Sequence, residues 1–384
     1  MVNVVLAGGG TAGHTSPLIA TAQALARHPD LGHLSCIGTP KGLEGRVIPE
    51  AGLVLDMIDP VPLPRSLSMN LLKVPGHLRR AVAQAADVLR RRQADVLVGF
   101  GGYVSMPAYL AARKAQVPIV IHEQNAVPGL ANKVAARFAV QVAIAFPDTP
   151  LPAAKFIGMP LREGITGLAT MTPQARAEAV AAARRRFGLE ADRPTLLVSG
   201  GSQGAVAINE AVVAARDRLL ADGVQILHIL GPRNIGAATT ITDEATGASW
   251  VPLDYVDDMP SAYLTADLMV ARSGAGTVVE TAVAGLPTIY VPLPHGNGEQ
   301  ARNARSVVEA GGGVLVPNVE LDAQRLLRET ERIHRPEELA RMAAAGRDLM
   351  PADSAERLAD LVLGAADRAR TPRPIPKEDP DGTA

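Results

Sequence analysis

Val2-Asn3-Val4-Val5-Leu6-Ala7-Gly8-Gly9-Gly10-Thr11-Ala12-Gly13-His14 decides the fold class. An apolar run of single-strand length ends in glycines and passes into an amphipathic stretch, the start of a βα unit. The pattern restarts at Thr195, where the run to Val198 leads into Gly200-Gly201-Ser202-Gln203-Gly204. Further apolar runs at 34–37, 96–98, 119–121, 140–144, 226–230, 268–271, 288–291 and 313–316 alternate with helical patterns. This alternation predicts an α/β chain built on parallel sheets. Two more predicted strands end in glycine turns, Gly99-Phe100-Gly101-Gly102-Tyr103 and Arg272-Ser273-Gly274-Ala275-Gly276-Thr277. Turns of this kind let the backbone turn tightly and bring N–H groups at a helix start up to a phosphate or sugar. With two in each half, they point to a ligand held between facing domains.

At about 150 residues per domain, the 384 residues give a prior of two domains. The stretch 146–172, rich in Pro, Gly and Thr, reads as their connection, with the boundary near residue 165. The tail from Thr371 carries four prolines and no apolar face and reads as disordered. A hydrophobic content of 47% with 20% charged residues excludes a disordered chain overall. With 38 basic against 39 acidic residues, the surface is not that of a general nucleic-acid binder, so no nucleic-acid partner is expected. The single cysteine, Cys36, can form neither an internal disulfide nor a zinc site alone, which suits a reducing compartment. The N-terminus lacks the basic lead of a secretory signal, and no stretch reaches the ~18 apolar residues of a membrane span.

Gly8-x-Gly10-x-x-Gly13 matches the dinucleotide fingerprint, but the second strand ends in Cys36-Ile37-Gly38-Thr39-Pro40-Lys41 with no acid before Glu44 to hold a ribose. No Gly-Lys-Ser/Thr follows any glycine loop, which disfavours a Walker-type nucleotidase. Gly200-Gly201-Ser202-Gln203-Gly204 also fits the nucleophile elbow of an α/β-hydrolase, and Ser202, Asp254 and His295 follow a triad's chain order. That reading leaves the first half's glycine turns without a role. The competing one makes Ser202 a hydroxyl donor to a phosphate at a helix N-terminus. Asp257 and Asp258 precede Met259-Pro260-Ser261 and read as a helix cap in preference to a metal site. His14 can serve as a general base facing the cleft or as a donor to its own loop. His122-Glu123-Gln124-Asn125 ends a buried strand with four polar residues, a costly arrangement unless they make contacts. Glu280, inside the helix opened by the fourth glycine turn, suits the two hydroxyls of a ribose, and 295–300 offers amides suited to a sugar.

Taken together these residues resemble the MurG family of peptidoglycan glycosyltransferases. The likeness runs in order through Gly-Gly-Thr-x-Gly-His at 9–14, Gly-Gly-Tyr-Val-Ser at 101–105, His-Glu-Gln-Asn at 122–125 and Gly-x-Pro-x-Arg at 158–162. It continues through Gly-Gly-Ser-Gln-Gly-Ala at 200–205, Asp-Asp-Met at 257–259, Arg-Ser-Gly-Ala-x-Thr-Val-x-Glu at 272–280 and Gln-x-x-Asn-Ala at 300–304. The resemblance implies a GT-B fold, with two Rossmann-like domains facing a cleft. Residues 1–165 would form an acceptor and membrane-side domain, 166–350 a donor domain, and 351–370 a helix packing back on the first. It implies inverting transfer of N-acetylglucosamine from UDP-N-acetylglucosamine to the 4-hydroxyl of lipid-linked N-acetylmuramyl-pentapeptide (lipid I to lipid II), without cofactor or metal. No Asp-x-Asp clamp occurs within the two predicted domains, which fits that chemistry.

By matching position, Thr11, Ala12 and Gly13 would lie by the donor diphosphate and Ser202 on a phosphate. Arg162 would contact the nucleotide, the Val256 backbone would read uracil, and Glu280 would hold the ribose. Ala275, Gly276, Thr277, Asn125 and Gln300 would surround the sugar, with His14 as the base. Ala12 stands where many members have glycine, and Glu299 where some have glutamine. The implied place is the cytoplasmic face of the plasma membrane, peripherally bound, with cell-wall synthesis proteins as further partners. The segment 65–92 is the candidate for an anionic membrane surface, since Arg65, Lys73, Arg79, Arg80, Arg90, Arg91 and Arg92 face Asp87 alone. An α/β-hydrolase using Ser202 and a non-catalytic nucleotide-sugar sensor on the same scaffold are the alternatives.

Overall fold

A computed structural model describes residues 1–40, 42–61, 74–201, 205–294 and 297–370. Ser202, His295, Arg65, Lys73 and the tail from Thr371 therefore lie outside the described residues. The first unit carries strands β1 (Val2–Ala7), β2 (Leu31–Gly38), β3 (Leu55–Met57), β4 (Val96–Gly99), β5 (Ile119–Glu123), β6 (Gln141–Ile144) and β7 (Ala154–Phe156). The second carries β8 (Thr195–Ser199), β9 (Gln225–Ile229), β10 (Ile241–Thr242), β11 (Ser249–Leu253), β12 (Leu268–Ala271), β13 (Thr288–Tyr290) and β14 (Gly313–Leu315). Their orders are β3-β2-β1-β4-β5-β6-β7 and β10-β11-β9-β8-β12-β13-β14. Every pairing is parallel except β10 with β11. The predicted α/β class with parallel sheets is the fold observed.

The four missed strands, β3, β7, β10 and β11, lie at or next to sheet edges. Two are only three residues long and one only two, too short for a pattern of their own. In β11, Pro252 interrupts Ser249-Trp250-Val251-Pro252-Leu253 and weakens its reading as a strand.

Both sheets reverse their strand order at one point, between β1 and β4 and between β8 and β12. In register, Ala7 pairs with Gly99 and Ala271 with Ser199. The four glycine turns of the sequence are the continuations of these four strands. Each pair thus flanks the crevice that a parallel sheet opens where successive connections leave to opposite faces.

The chain crosses between the two cores twice. Ile157 is buried with the first core, whereas Met159, Leu161, Ile165 and Leu168 are buried with Val278 and Val279 of the second. Residues 159–165, assigned from sequence to the first half, thus pack with the second. The crossing is shifted because the apolar face of helix Glu163–Thr170 fits the second core. On the return, Met350 belongs to the second core and Ala355 to the first. The crossings touch: a Cβ on Gly158, at φ +82°, would stand 2.4 Å from Ser354 Oγ, so the glycine is required there. Helix Ser354–Arg370 then buries Leu358, Val362 and Ala366 in the same cluster as Leu18, Ala22 and Leu25 of helix Ala12–Ala26.

Leu358 is fully buried in that seam. Leu358→Ala should cost about 2–5 kcal/mol of stability in denaturant unfolding. A loss below about 0.5 kcal/mol, the range of ordinary surface changes, would mean that the seam adds no structural stability.

Candidate active site

The two switch points face one another across a cleft of about 1330 Å³. Thr11, Ala12, Gly13, His14 and Asn125 line one wall, Arg162 stands at the crossing, and Val256, Ala275, Gly276, Thr277, Glu280 and Gln300 line the other. Residues far apart in sequence and assigned to one site are thereby brought together. Of the triad considered for a hydrolase, Asp254 lines the same cleft, while Ser202 and His295 fall outside the described residues.

The first glycine loop is organised by an acid. Glu44, fully buried, accepts from Gly10 N at 2.8 Å, Thr39 N at 3.1 Å and Thr39 Oγ1 at 2.8 Å. A Cβ on Gly9 would stand 2.5 Å from that carboxyl group. The Gly10 N–H is thus spent on the protein's own carboxylate, and the loop differs in use from a dinucleotide loop. The left-handed conformation falls on Gly10, at φ +92°, while Ala12 already begins the helix, so alanine is accommodated. Of the two roles open to His14, donation to its own loop is not the one seen: Nδ1 meets the Gln124 side chain at 2.9 Å. Gly101 and Gly102 back the ring, and a Cβ on either would come within 3.4 Å of it.

His122, Glu123 and Gln124 are buried and Asn125 is partly exposed, with Glu123, Gln124 and Asn125 reaching the cleft wall. Glu123 accepts from Asn125 N at 3.0 Å and from Gly129 N and Asn132 Nδ2 at 2.9 Å, which shapes the loop presenting Asn125. Burial lowers the His122 pKa to about 4, so the ring is neutral at physiological pH.

On the opposite wall, helix Ala275–Ala284 begins at Gly274 without a side-chain cap, as helix Ala12–Ala26 does at Thr11. The two uncapped ends leave first-turn N–H groups available to an anion. Asp258 caps helix Met259–Thr265 through Ser261 N at 3.2 Å, the predicted role. Glu280 accepts from Tyr263 Oη at 2.7 Å. Burial pushes its pKa up, while the Tyr263 hydrogen bond and the Arg162 charge pull it down. Gln300 Oε1 accepts from Leu293 N at 2.9 Å, which turns its amide nitrogen outward. Glu299 has its pKa raised by burial and by the charge of Glu123, with His14 opposing, so the acid stands electrostatically close to His14.

Several contributors received no role from sequence, although Asn303 and Arg272 stand within the quoted motifs. Asn303 accepts from Ala126 N at 2.9 Å and so ties the second unit to the loop bearing Asn125. Its spacing of three from Gln300, which puts both on one helix face, was the available signal. Arg272, 9% exposed, donates to the Val291 and Pro292 carbonyls and to Asn318 Oδ1, bracing the turn before Gly274. Tyr263, the partner of Glu280, carried no motif.

The glycosyltransferase family 28 N-terminal domain matches residues 4–144, and the family 28 C-terminal domain matches residues 195–358. A Cutibacterium acnes protein described as UDP-N-acetylglucosamine–N-acetylmuramyl-(pentapeptide) pyrophosphoryl-undecaprenol N-acetylglucosamine transferase is 73% identical over 95% of this chain and 98% of its own. A Nocardioides protein of the same description is 53% identical over 94% and 98%. The crystal structure of Acinetobacter baumannii MurG matches with a TM-score of 0.77 and 28% identity, over 95% of this chain and 100% of that one. Two parallel-sheet units around one cleft are the GT-B arrangement.

Because the Glu280 pKa lies above its ordinary 4.5, the folded protein holds that proton more tightly than the unfolded chain. Stability from this group is present below pH 4.5 and is lost as pH rises through the folded value. Glu280→Gln should therefore stabilise the unliganded protein at neutral pH, with the gain shrinking as pH falls toward the ordinary 4.5 in thermal melts. A variant less stable than wild type at neutral pH would contradict this account.

Proposed function

The chain belongs to glycosyltransferase family 28, and from that premise we propose that it transfers N-acetylglucosamine from UDP-N-acetylglucosamine to the 4-hydroxyl of lipid-linked N-acetylmuramyl-pentapeptide, the lipid I to lipid II step of peptidoglycan synthesis. The observation that carries the reading is the convergence of the family's motif residues on both walls of one cleft. His14 takes the proton of the acceptor hydroxyl, whose oxygen attacks the anomeric carbon from the face opposite UDP. The bond from that carbon to the diphosphate oxygen breaks, and UDP leaves with inversion. First-turn N–H groups at Ala275, Gly276 and Thr277 and at Ala12 and Gly13, with the N-cap residue Thr11 beside them, stabilise the charge that builds on the diphosphate. Arg162 contacts the nucleotide, the Val256 backbone reads uracil, and Glu280 holds the ribose. Asn125 and Gln300 orient the sugar with outward-facing amides. Ser202 is assigned to a phosphate on the motif alone.

Label from UDP-N-acetylglucosamine should appear in lipid when the protein is incubated with the lipid-linked acceptor. His14→Ala should slow turnover on the order of 10²- to 10⁴-fold with donor affinity kept. No transfer by the wild type would end this reading, and full turnover in His14→Ala would remove its base.

The enzyme acts peripherally at the cytoplasmic face of the plasma membrane, where its lipid-linked acceptor is reached. The cleft's lining supports this, since it includes apolar Val74, Leu78, Met106, Leu110 and Leu130, of which Leu130 is 63% exposed. The basic segment contributes less than its sequence promised. Arg80 pairs with Asp59 at 2.8 Å, Arg92 with Asp56 at 2.9 Å, Arg91 with Asp87 at 2.8 Å, and Arg90 also pairs with Asp87. Asp56 and Asp59 precede the segment, so counting along it missed them. Replacing Lys73, Arg79 and Arg80 with Glu should reduce sedimentation with anionic vesicles at low salt and leave UDP binding intact. Equal sedimentation of the triple variant would remove this segment from the membrane surface.

A further inference from the structure

Only one of the two His14 ring nitrogens can take a proton from an attacking hydroxyl, and the hydrogen bonds behind the ring decide which. His14, Gln124, His122 and the Gly158 carbonyl form a chain leading away from the cleft. The Gly158 carbonyl can only accept, so its 2.9 Å contact makes His122 Nε2 the ring N–H. The neutral His122 ring then has a lone pair on Nδ1, which accepts from Gln124 Nε2 at 3.0 Å. Gln124 Nε2 also donates to the His122 backbone carbonyl at 2.8 Å. Both acceptors fix the amide's orientation, because the reverse would set the Gln124 oxygen against a carbonyl oxygen and a ring lone pair. Gln124 Oε1 therefore faces His14 Nδ1 at 2.9 Å and requires the hydrogen to be on Nδ1. In the neutral imidazole the lone pair is left on Nε2.

We propose that Gln124 and His122 are positioning residues that hold His14 as the Nδ1–H tautomer, with Nε2 as the atom that accepts the proton of the attacking hydroxyl. The proposal deepens the reading of His14 as base and rests on it for its catalytic meaning. As the acceptor oxygen bonds to the anomeric carbon, its proton passes to Nε2, and the electron pair of the breaking bond leaves with UDP. The resulting imidazolium keeps its Nδ1–H bond to Gln124. An amide in this place is useful only if its orientation is locked, because one that turns its NH₂ to a catalytic histidine imposes the wrong tautomer, at a cost on the order of 10⁴-fold. His122 supplies the lock. Gln124 is 1% exposed and His122 fully buried, so water does not stand in for either.

Nitrogen NMR on full-length protein with isotopically labelled histidine rings, with the His14 signals assigned by their loss in His14→Ala, reads the tautomer directly. Wild-type His14 should show a protonated Nδ1 and a bare Nε2. Gln124→Leu, close in size but without the acceptor, should let the Nε2–H form appear. It should also lower kcat by roughly 10- to 100-fold with donor KM unchanged, the size expected for losing a group that orients a reacting one. Wild-type His14 protonated on Nε2 would overturn the proposal whatever the variant does. So would folded Gln124→Leu that keeps both the Nδ1–H form and wild-type kcat. Full turnover in His14→Ala would sink the base reading and the catalytic role of the relay with it, a failure told apart because the wild-type tautomer would still be Nδ1–H.

Discussion

A parallel sheet whose connections leave to opposite faces must open a crevice at the carboxyl ends of its central strands, and this protein meets that constraint twice, face to face. The rest of the site follows from it. Strand ends there have no sheet neighbour to fill the gap, so the turns must be tight and the following helices start at the opening. The described helices that start at β1 and β12 do so without side-chain caps. Their unpaired N–H groups are a standing cost to the unliganded protein, offset when an anion binds.

The polar groups behind the cleft are spent almost wholly on the protein itself. Glu44 and Glu123 are buried carboxylates whose partners are backbone N–H groups and neutral side chains, with no cation among the described residues bonded to either. Each fixes one loop of the first wall, and neither is free to bind ligand. The groups turned to the cleft are what this inner layer holds in place: the His14 ring, the Asn125 side chain, and across the gap the Glu280 carboxylate and the Gln300 amide.

The sequence disclosed what local patterning encodes. Central strands are continuous apolar runs because both their faces are buried, and glycine turns mark their ends, so both the parallel sheets and the motif-bearing wall residues could be read. Edge strands of two or three residues leave no such trace. The place of the first chain crossing is not legible locally, because Leu161 and Ile165 are apolar in either assignment, and only packing shows which core takes them. The acidic partners of the basic segment were hidden for a related reason, since Asp56 and Asp59 approach Arg92 and Arg80 through the fold. The partners of His14 and Glu280 depend on distances between residues up to 110 apart in the chain, to which no local pattern is sensitive.

The contact between the two chain crossings sets the mechanics of the molecule. With both covalent connections side by side at Gly158 and Ser354, a rotation of one unit against the other pivots near that contact, and displacement grows with the length of the lever. The Gly158 carbonyl lies at the fulcrum, so the His122 hydrogen bond it accepts is among the least disturbed by any swing of the units.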